Sequence, residues 1–140
     1  MHGARDSLSR FTEAQDSIYP QVLRELRAGE KRSHWMWFVF PQRRGLGSST
    51  NAHFYGLASL CEAQDYWAHS ILGPRLIECT ELVLNINERS AFEIFSSPDD
   101  LKFQSCLTLF LQVEPKAPLF TKALSHYFNG VPDQRTLDLL

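Results

Sequence analysis

The chain has 140 residues, of which 44% are hydrophobic and 21% charged, and its formal net charge is −2. This length suits one domain, residues 1–140, and the composition is that of a globular protein rather than a disordered chain. No apolar run approaches the ~20 residues that cross a bilayer, and the amino terminus lacks the apolar stretch of a secretory signal. We therefore expect a cytoplasmic protein that does not enter the membrane.

The first part of the chain predicts short helices. A first helix is expected from a cap at Asp6 or Ser7, and a second over "YPQVLRELRA", which ends at Gly29. Ser33 is a candidate cap for a third helix over residues 34–40, "HWMWFVF". That run does not alternate apolar and polar residues, so a buried strand is the alternative. We favour the helix because its neighbours are helical.

The rest of the chain also predicts helices. Serine followed three residues later by glutamate, a capping box, occurs at Ser59 and again at Ser90. Ser97 as cap with Pro98 at the first helical position starts another helix. The sequence predicts an all-α fold, a single compact multihelical domain of about eight short helices. Residues 42–57 form the longest stretch without predicted regular structure, a length that is often functional.

The charge distribution singles out the segment between Arg27 and Tyr55. It contains five basic residues and one acid, a local balance of +4. The other residues carry nine basic and fifteen acidic groups, a balance of −6. A locally positive segment in an acidic chain indicates a confined anion site rather than a broad nucleic-acid surface.

The loop "RRGLGSSTN", residues 43–51, carries groups that suit an anion. Arginine offers a planar fork of donors to phosphate or carboxylate, glycine lets the backbone approach a ligand, and serine adds a hydroxyl. The pattern completes neither a P-loop nor the dinucleotide fingerprint, so a solvated turn is the alternative. The predicted ligand-binding residues of this loop and of the basic pair before it are Arg32, Arg44, Gly45, Gly47, Ser48 and Ser49.

Aromatic and histidine residues around this loop complete the candidate site. Trp37 is predicted to stack on a flat ligand, and the alternative for both Trp35 and Trp37 is core packing. His34 and His53 are the candidate catalytic residues, because an imidazole beside arginines can exchange a proton or contact an anion. A histidine satisfied in the core is the alternative. Tyr55 is predicted either to close over the ligand or to bond to the loop backbone.

Other chemistries lack their residue patterns. The five histidines never pair at i, i+4, no G-x-S-x-G elbow occurs, and the adjacent acids Asp99 and Asp100 suit a helix start. The cysteines Cys61, Cys79 and Cys106 form no C-x-x-C pair, so buried, reduced thiols are expected. We predict no metal site and no cofactor, and whether the protein is an enzyme stays open.

The same segments carry a resemblance to a known family. Over almost the whole chain, from about Leu8 to the end, the sequence closely resembles the DUF1810 family, also called the Rv1873-like superfamily. The resemblance rests chiefly on "LRELRAGEKRSHWMWFVFPQRRGLGSS", "FYGLASLCEAQDYWAH", "EIFSSPDDLKFQSCLTLF" and "FNGVPDQRTLDLL". It implies a compact multihelical all-α fold of bacterial cytoplasmic proteins, and it implies no particular reaction.

Two points qualify what the resemblance carries. The family motif has leucine at the position of Arg43, so Arg44 is the better candidate for a ligand contact carried over from the family. Some members are labelled calpastatin-like. An inhibitor of that kind is a disordered, hydrophobe-poor chain, whereas this chain is 44% hydrophobic and has ten Phe, four Tyr and three Trp. We therefore do not expect that function.

Three functions follow, in order of preference. The first is binding of a small anionic ligand, phosphate- or nucleotide-like, in a pocket beside residues 31–55. The second is a non-enzymatic protein-interaction module anchored by the aromatic patch and arginines of the same segment. The third, single-stranded nucleic-acid binding, needs a continuous positive track, which the −6 balance elsewhere opposes. The oligomeric state is not predicted.

Overall fold

The computed structural model describes residues 3–140, with side chains from Leu8 onward. Ten helices follow one another: α1 Gly3–Asp16, α2 Tyr19–Ala28, α3 Met36–Val39, α4 Thr50–Phe54, α5 Leu60–Ala68, α6 Leu72–Leu84, α7 Ala91–Phe95, α8 Asp99–Val113, α9 Pro118–Phe128 and α10 Gln134–Leu139. Within this range the β pairing is one isolated parallel bridge, from Arg43 to Leu57. The all-α prediction is confirmed. The count exceeds the predicted eight partly because α4 lies in the stretch that was predicted to be irregular.

Helix α8 lies at the centre of the fold. Its residues Phe103, Cys106, Leu107, Leu109 and Phe110 have no exposed surface, as expected of a helix enclosed by other helices. It packs against α5, α7, α9 and α10, while α6 packs against α2, α5 and α9. These helices share one hydrophobic core. Between residues 3 and 140, none of the helices combines the length and the apolar character that crossing a bilayer requires.

The helix ends show where local sequence signals predicted the boundary correctly. Gly29 ends α2 in the left-handed region, at φ +78°, as predicted. The capping box at Ser90 is complete, since its side chain accepts from the Glu93 amide and the Glu93 carboxylate accepts from the Ser90 amide. Helix α8 begins one residue later than predicted, with Pro98 rather than Ser97 at the N-cap.

Two further helix starts differ from the prediction. Helix α1 begins at Gly3, so Asp6 and Ser7 lie inside it, and their side chains are outside the described part of the chain. At Ser59 half of the predicted box forms, because the hydroxyl accepts from the Glu62 amide. The Glu62 carboxylate instead accepts from the Ala58 amide. A long-range ion pair with Arg10, 3.3 Å, also engages that carboxylate.

The predicted helix over residues 34–40 is reduced to the single turn α3. Trp35 occupies its N-cap without a side-chain bond, so the prediction of Ser33 as cap is wrong. The Ser33 hydroxyl instead donates to the carboxylate of Glu25. Most of the run is buried, including Trp35 at 0% and Phe40 at 1% exposure. The core interpretation of Trp35 is therefore confirmed.

Gln15 fixes this turn against the rest of the core. Its Nε2 donates to the Phe38 carbonyl at 2.6 Å and to the Tyr66 hydroxyl at 3.2 Å. Its Oε1 accepts from Arg75 at 3.2 Å. Because Gln15 is 1% exposed, these bonds satisfy an amide that burial would otherwise leave without partners. They hold the end of α3 at a defined position between α1 and α5.

Residues 42–57 form a closed excursion rather than an open loop. The Arg44 amide donates to the Leu57 carbonyl at 2.8 Å, and the Leu57 amide donates to the Gln42 carbonyl at 2.9 Å. Gly56 permits this closure, because an added Cβ would lie 2.7 Å from the Ala52 carbonyl oxygen. The excursion and α3 together border the region in which a ligand site was predicted.

Candidate functional site

Backbone and side-chain donors of residues 32–35 hold a buried carboxylate of the chain itself, that of Glu25. Glu25 is 4% exposed, and its Oε1 accepts from the amides of Arg32 and Ser33, at 2.8 and 3.0 Å, and from the Trp35 indole at 2.9 Å. Its Oε2 accepts from the Ser33 hydroxyl at 2.5 Å and from Gln21 at 2.7 Å. Burial favours the neutral acid, but these hydrogen bonds together outweigh it and hold the pKa at about 2.

The sequence contains a signal for Glu25 that the prediction missed. In the helical sequence Glu25 stands three residues after Val22 and directly before Leu26, so it lies beside the apolar side of α2, where both neighbours have no exposed surface. A carboxylate at such a position must find several donors, since an unpaired buried charge is costly. Four of the five donors come from residues 32–35 and one from Gln21. Part of the hydrogen-bonding capacity of that segment therefore has a structural use.

A second ionic cluster joins the basic segment to the start of α8. Asp99 accepts from Lys31 at 2.8 Å and lies 3.4 Å from the ammonium of Lys102. Each lysine also sits over a tryptophan: Lys31 is 5.1 Å from the Trp35 ring centre, and Lys102 is 5.0 Å from that of Trp37. The Lys31 side chain is 7% exposed and that of Lys102 is 23%. Two cations share one carboxylate, so a net positive charge remains, and Lys102 is its more exposed end.

Lys102 borders two concavities. One is a cavity of about 10 Å³, which also touches Trp37, Gln42 and Tyr55 and has room for about one water molecule. The other, which we call the Lys102 groove, has a volume of about 380 Å³ and lies between residues 42–47, the first turns of α8 and the beginning of α10. The groove falls within the usual size range of small-molecule sites.

The polar groups of the Lys102 groove are not all available. The carboxylate of Asp133 caps α10, and one guanidinium nitrogen of Arg135 donates to the Leu46 carbonyl at 2.8 Å. The side-chain amide of Gln42 has no hydrogen-bond partner among the side chains and backbone described for residues 8–140. Gln104, also in the wall, donates to the Val131 carbonyl at 2.9 Å. Lys102, Gln42 and the remaining donors of Arg135 are the groups that we expect to contact an anion.

Three of the predicted ligand-binding residues border these concavities. Trp37 and Tyr55 line the small cavity, and Gly47 lines the Lys102 groove. An added Cβ at Gly47 would lie 2.8 Å from the Cβ of Ala52, so glycine permits the close approach of loop and helix there. Tyr55 also packs on Phe38, with 5.3 Å between ring centres.

Other predicted residues have structural contacts within the chain. Arg44 Nε donates to the His53 carbonyl at 2.9 Å and so supports the end of α4. The Ser49 hydroxyl accepts from the Ala52 amide as the N-cap of α4. The Arg32 side chain, 74% exposed, pairs with Glu30 at 3.0 Å. None of these three residues lines the Lys102 groove.

The remaining predicted residues lie on the surface. His34, Gly45, Ser48 and His53 are exposed, and none lines the small cavity or the groove. Gly45 adopts φ +106° in its turn. His34, His53 and Arg44 therefore do not meet in either of these two concavities, and an acid–base role for the two imidazoles stays a prediction.

Lys102 and Arg135 were missed because nothing local marks them. In the sequence Lys102 has the spacing of an ordinary helical partner of Asp99, and Arg135 is typical of a surface residue on a short terminal helix. Gln42, in contrast, stands in the family motif two residues after the aromatic run. Its position at the start of the 42–57 segment, which was predicted to be irregular, could have marked it as a candidate site residue.

The thiols divide into two groups. Cys79 and Cys106 are buried, as predicted, whereas Cys61 is exposed, so the prediction of a buried thiol is wrong for that residue. Cys61 lies in the first turn of α5, and the buried residues of that helix are Ala63 and Tyr66. Burial raises the pKa of Cys79 to about 12, so this thiol stays protonated at neutral pH. No group of three His, Cys, Asp or Glu side chains in the described part of the chain is arranged to hold a metal ion.

Comparisons with known proteins address the family. A family profile with the description "Protein of unknown function (DUF1810)" matches residues 5–140. The crystal structure of the conserved hypothetical protein Rv1873 from Mycobacterium tuberculosis is similar, with 54% identity, coverage of 95% of each chain and a TM-score of 0.93. A comparison with curated proteins gives no match. The chain therefore belongs to the DUF1810 family.

Proposed function

We propose that the protein binds a small anionic ligand, phosphate- or nucleotide-like, in the Lys102 groove beside residues 31–55. The observation that carries the proposal is the sharing of Asp99 by Lys31 and Lys102, at 2.8 and 3.4 Å. Since one carboxylate neutralises one of two cations, the excess charge is available at Lys102. An oxyanion in the groove would be its second partner.

Neighbouring groups support this placement. The Gln42 amide and the free donors of Arg135 line the same groove as Lys102. The acid in the groove wall, Asp133, has two partners: its side chain accepts from the Thr136 amide as the cap of α10, and its Oδ2 accepts from the Ser105 hydroxyl of α8 at 2.8 Å. With Arg135 offsetting Asp133, the groove retains the excess positive charge of Lys102. A phosphate-sized head fits there with a small organic body beside it.

The proposal changes the roles of the predicted residues. Lys102 and Arg135 supply the charge in place of Arg32 and Arg44, whose side chains are engaged elsewhere. Trp37 supports the Lys102 ammonium with one ring face, so stacking of a base on that face would require Lys102 to move. An enzymatic reaction is not part of the proposal.

Calorimetric titration with inorganic phosphate and with a nucleoside monophosphate tests the proposal. At constant ionic strength we expect saturable binding that Lys102→Gln weakens about tenfold, the value of one charge-assisted hydrogen bond. Lys122→Gln is the matched control, because Lys122 is an exposed helical lysine away from the groove. Absence of saturable binding by both ligands, or equal affinities for the two variants, would contradict the proposal.

A specific observation favours the second candidate, a protein-interaction module, at a surface other than the predicted patch of residues 31–55. An apolar groove of about 630 Å³ lies between α6 and α9, and its walls include Trp67, Ile77, Leu84 and Leu119. Half-buried aromatic and aliphatic side chains of this kind anchor protein interfaces. A pull-down with the wild-type chain and with Leu119→Asp tests this candidate. A partner retained by both variants to the same extent would count against it.

The third candidate is the least supported. Trp35 is fully buried, so it is not available to stack on a base as single-stranded nucleic-acid binding requires. A titration of RNA binding against salt tests this function, since phosphate contacts weaken steeply with ionic strength.

The cytoplasmic location of the protein stays a prediction from the sequence.

A further inference from the structure

A separate cleft between the carboxyl ends of α2 and α6 contains cations and no acid. It has a volume of about 360 Å³, and its polar walls are Arg27, Asn85, Asn87 and Arg89. It shares no residue with the Lys102 groove. We infer that this Arg27–Arg89 cleft is a second, independent binding site for a small oxyanion, phosphate above all, since arginine and amide donors match its oxygens.

Arg89 is held in place against the end of α2. Gly29 ends that helix at φ +78°, and a Cβ added there would lie 3.4 Å from Arg89 Cδ and 3.4 Å from Ile86 Cγ2. The stem of Arg89 therefore packs over the glycine. One guanidinium nitrogen donates to the Glu93 carbonyl at 3.2 Å. This bond fixes one edge of the guanidinium and leaves its other donors for a ligand.

The other side-chain donors of the cleft have no partner within the described part of the chain. Arg27 is exposed, and neither it nor the side-chain amides of Asn85 and Asn87 has a hydrogen-bond or ion-pair partner in the described residues 8–140. The acid beside Arg89, Glu93, keeps its carboxylate on the Ser90 amide at 2.7 Å. Hydrogen bonds to Ser90 lower its pKa, and the charge of Arg89 adds a smaller effect. Glu93 is therefore a neighbour of the cleft and not one of its walls.

The negative ends of the two helices do not neutralise the charges of both arginines. The carboxyl ends of α2 and α6 border the cleft, since Ala28 and Gly29 on one side and Asn85 on the other line it. Each helix end carries a partial charge of about −0.5. Two such ends offset about one of the two guanidinium charges. The Glu93 carboxylate beside Arg89 offsets part of the rest, so the positive charge that remains is less than one. That remaining charge is what an oxyanion would neutralise.

Two-dimensional NMR with arginine and asparagine side-chain signals tests the inference. Inorganic phosphate is titrated into the full chain at an ionic strength held constant with sodium chloride. We expect saturable shifts of the Arg27 and Arg89 Nε–H signals and of the Asn87 amide. Arg89→Gln and Arg27→Gln should each weaken this binding about fivefold. Arg24→Gln is the matched control, because Arg24 is an exposed arginine of the same helix that does not line the cleft.

The outcomes separate this site from the Lys102 groove and identify the anion. Lys102→Gln should leave the shifts at Arg27 and Arg89 unchanged, so failure at one site is distinguishable from failure at the other. Weaker saturation by acetate than by phosphate is expected, because acetate offers fewer acceptor oxygens. Shifts that stay linear in phosphate, saturation by acetate alone, or equal affinities for Arg89→Gln and Arg24→Gln would overturn the inference.

Discussion

Replacing Glu25 with glutamine tests whether one buried carboxylate fixes the conformation of the basic segment. Glu25 accepts five hydrogen bonds from Gln21, Arg32, Ser33 and Trp35. Glutamine keeps the shape and one carbonyl oxygen, which can still accept from the two amides and the indole. It loses the negative charge. Its NH2 group stands where Oε2 accepted from the Ser33 hydroxyl and from Gln21, so these two hydrogen bonds are lost. The variant therefore removes the ionic part of the contact and leaves the packing intact.

The magnitude follows from the pKa of Glu25. Its folded value of about 2 lies below the ordinary 4.5, which corresponds to about 3 kcal/mol of stability at neutral pH. Because the folded pKa is depressed, this stability is fully present above about pH 4.5 and is lost as the pH falls through about 2. With part of the hydrogen bonding retained, we expect Glu25→Gln to lose about 2 kcal/mol at pH 7.

Urea denaturation followed by tryptophan fluorescence measures this loss at several pH values between 7 and 2.5. The difference between wild type and Glu25→Gln should narrow as the pH falls below 4.5. Glu13→Gln is the control, because Glu13 is an exposed helical acid and its replacement should change stability by less than about 0.5 kcal/mol. A loss at pH 7 no larger than that of the control, or a difference that stays constant down to pH 2.5, would refute the reasoning.

Two further predictions concern backbone contacts and thiols. Gly73→Ala should cost about 3 kcal/mol or more in urea unfolding, because its Cβ would collide with the Trp67 carbonyl. Gly130→Ala meets open space and should cost only about 1 kcal/mol for its φ of +76°; similar losses for both would contradict this. In the folded protein a thiol reagent should modify Cys61 quickly, whereas Cys79, which is buried and has a raised pKa, should react only after unfolding. Rapid modification of more than one thiol would be the contrary result.

Local chemistry determined the helices where one segment supplies both partners of a contact. The capping box of Ser90 and Glu93 and the glycine stop at Gly29 need only neighbouring residues, so they could be predicted from the sequence. The helix over residues 34–40 could not be predicted correctly in this way. Its start is decided by Glu25, which lies on the preceding helix and takes the Ser33 hydroxyl that was expected to cap it.

By itself, the sequence determined the all-α class, the core role of the aromatic run and the family, because hydrophobic spacing, caps and motif residues are read along the chain. Only the tertiary structure decided which charges remain available. It pairs Arg44 with the His53 carbonyl and brings Lys31 to Asp99, the carboxylate that Lys102 already reaches from the same turn of α8. A buried donor or charge is satisfied by whatever group the fold places beside it, whatever their separation in sequence. The candidate site therefore moved from the arginines of the motif to a lysine far along the chain.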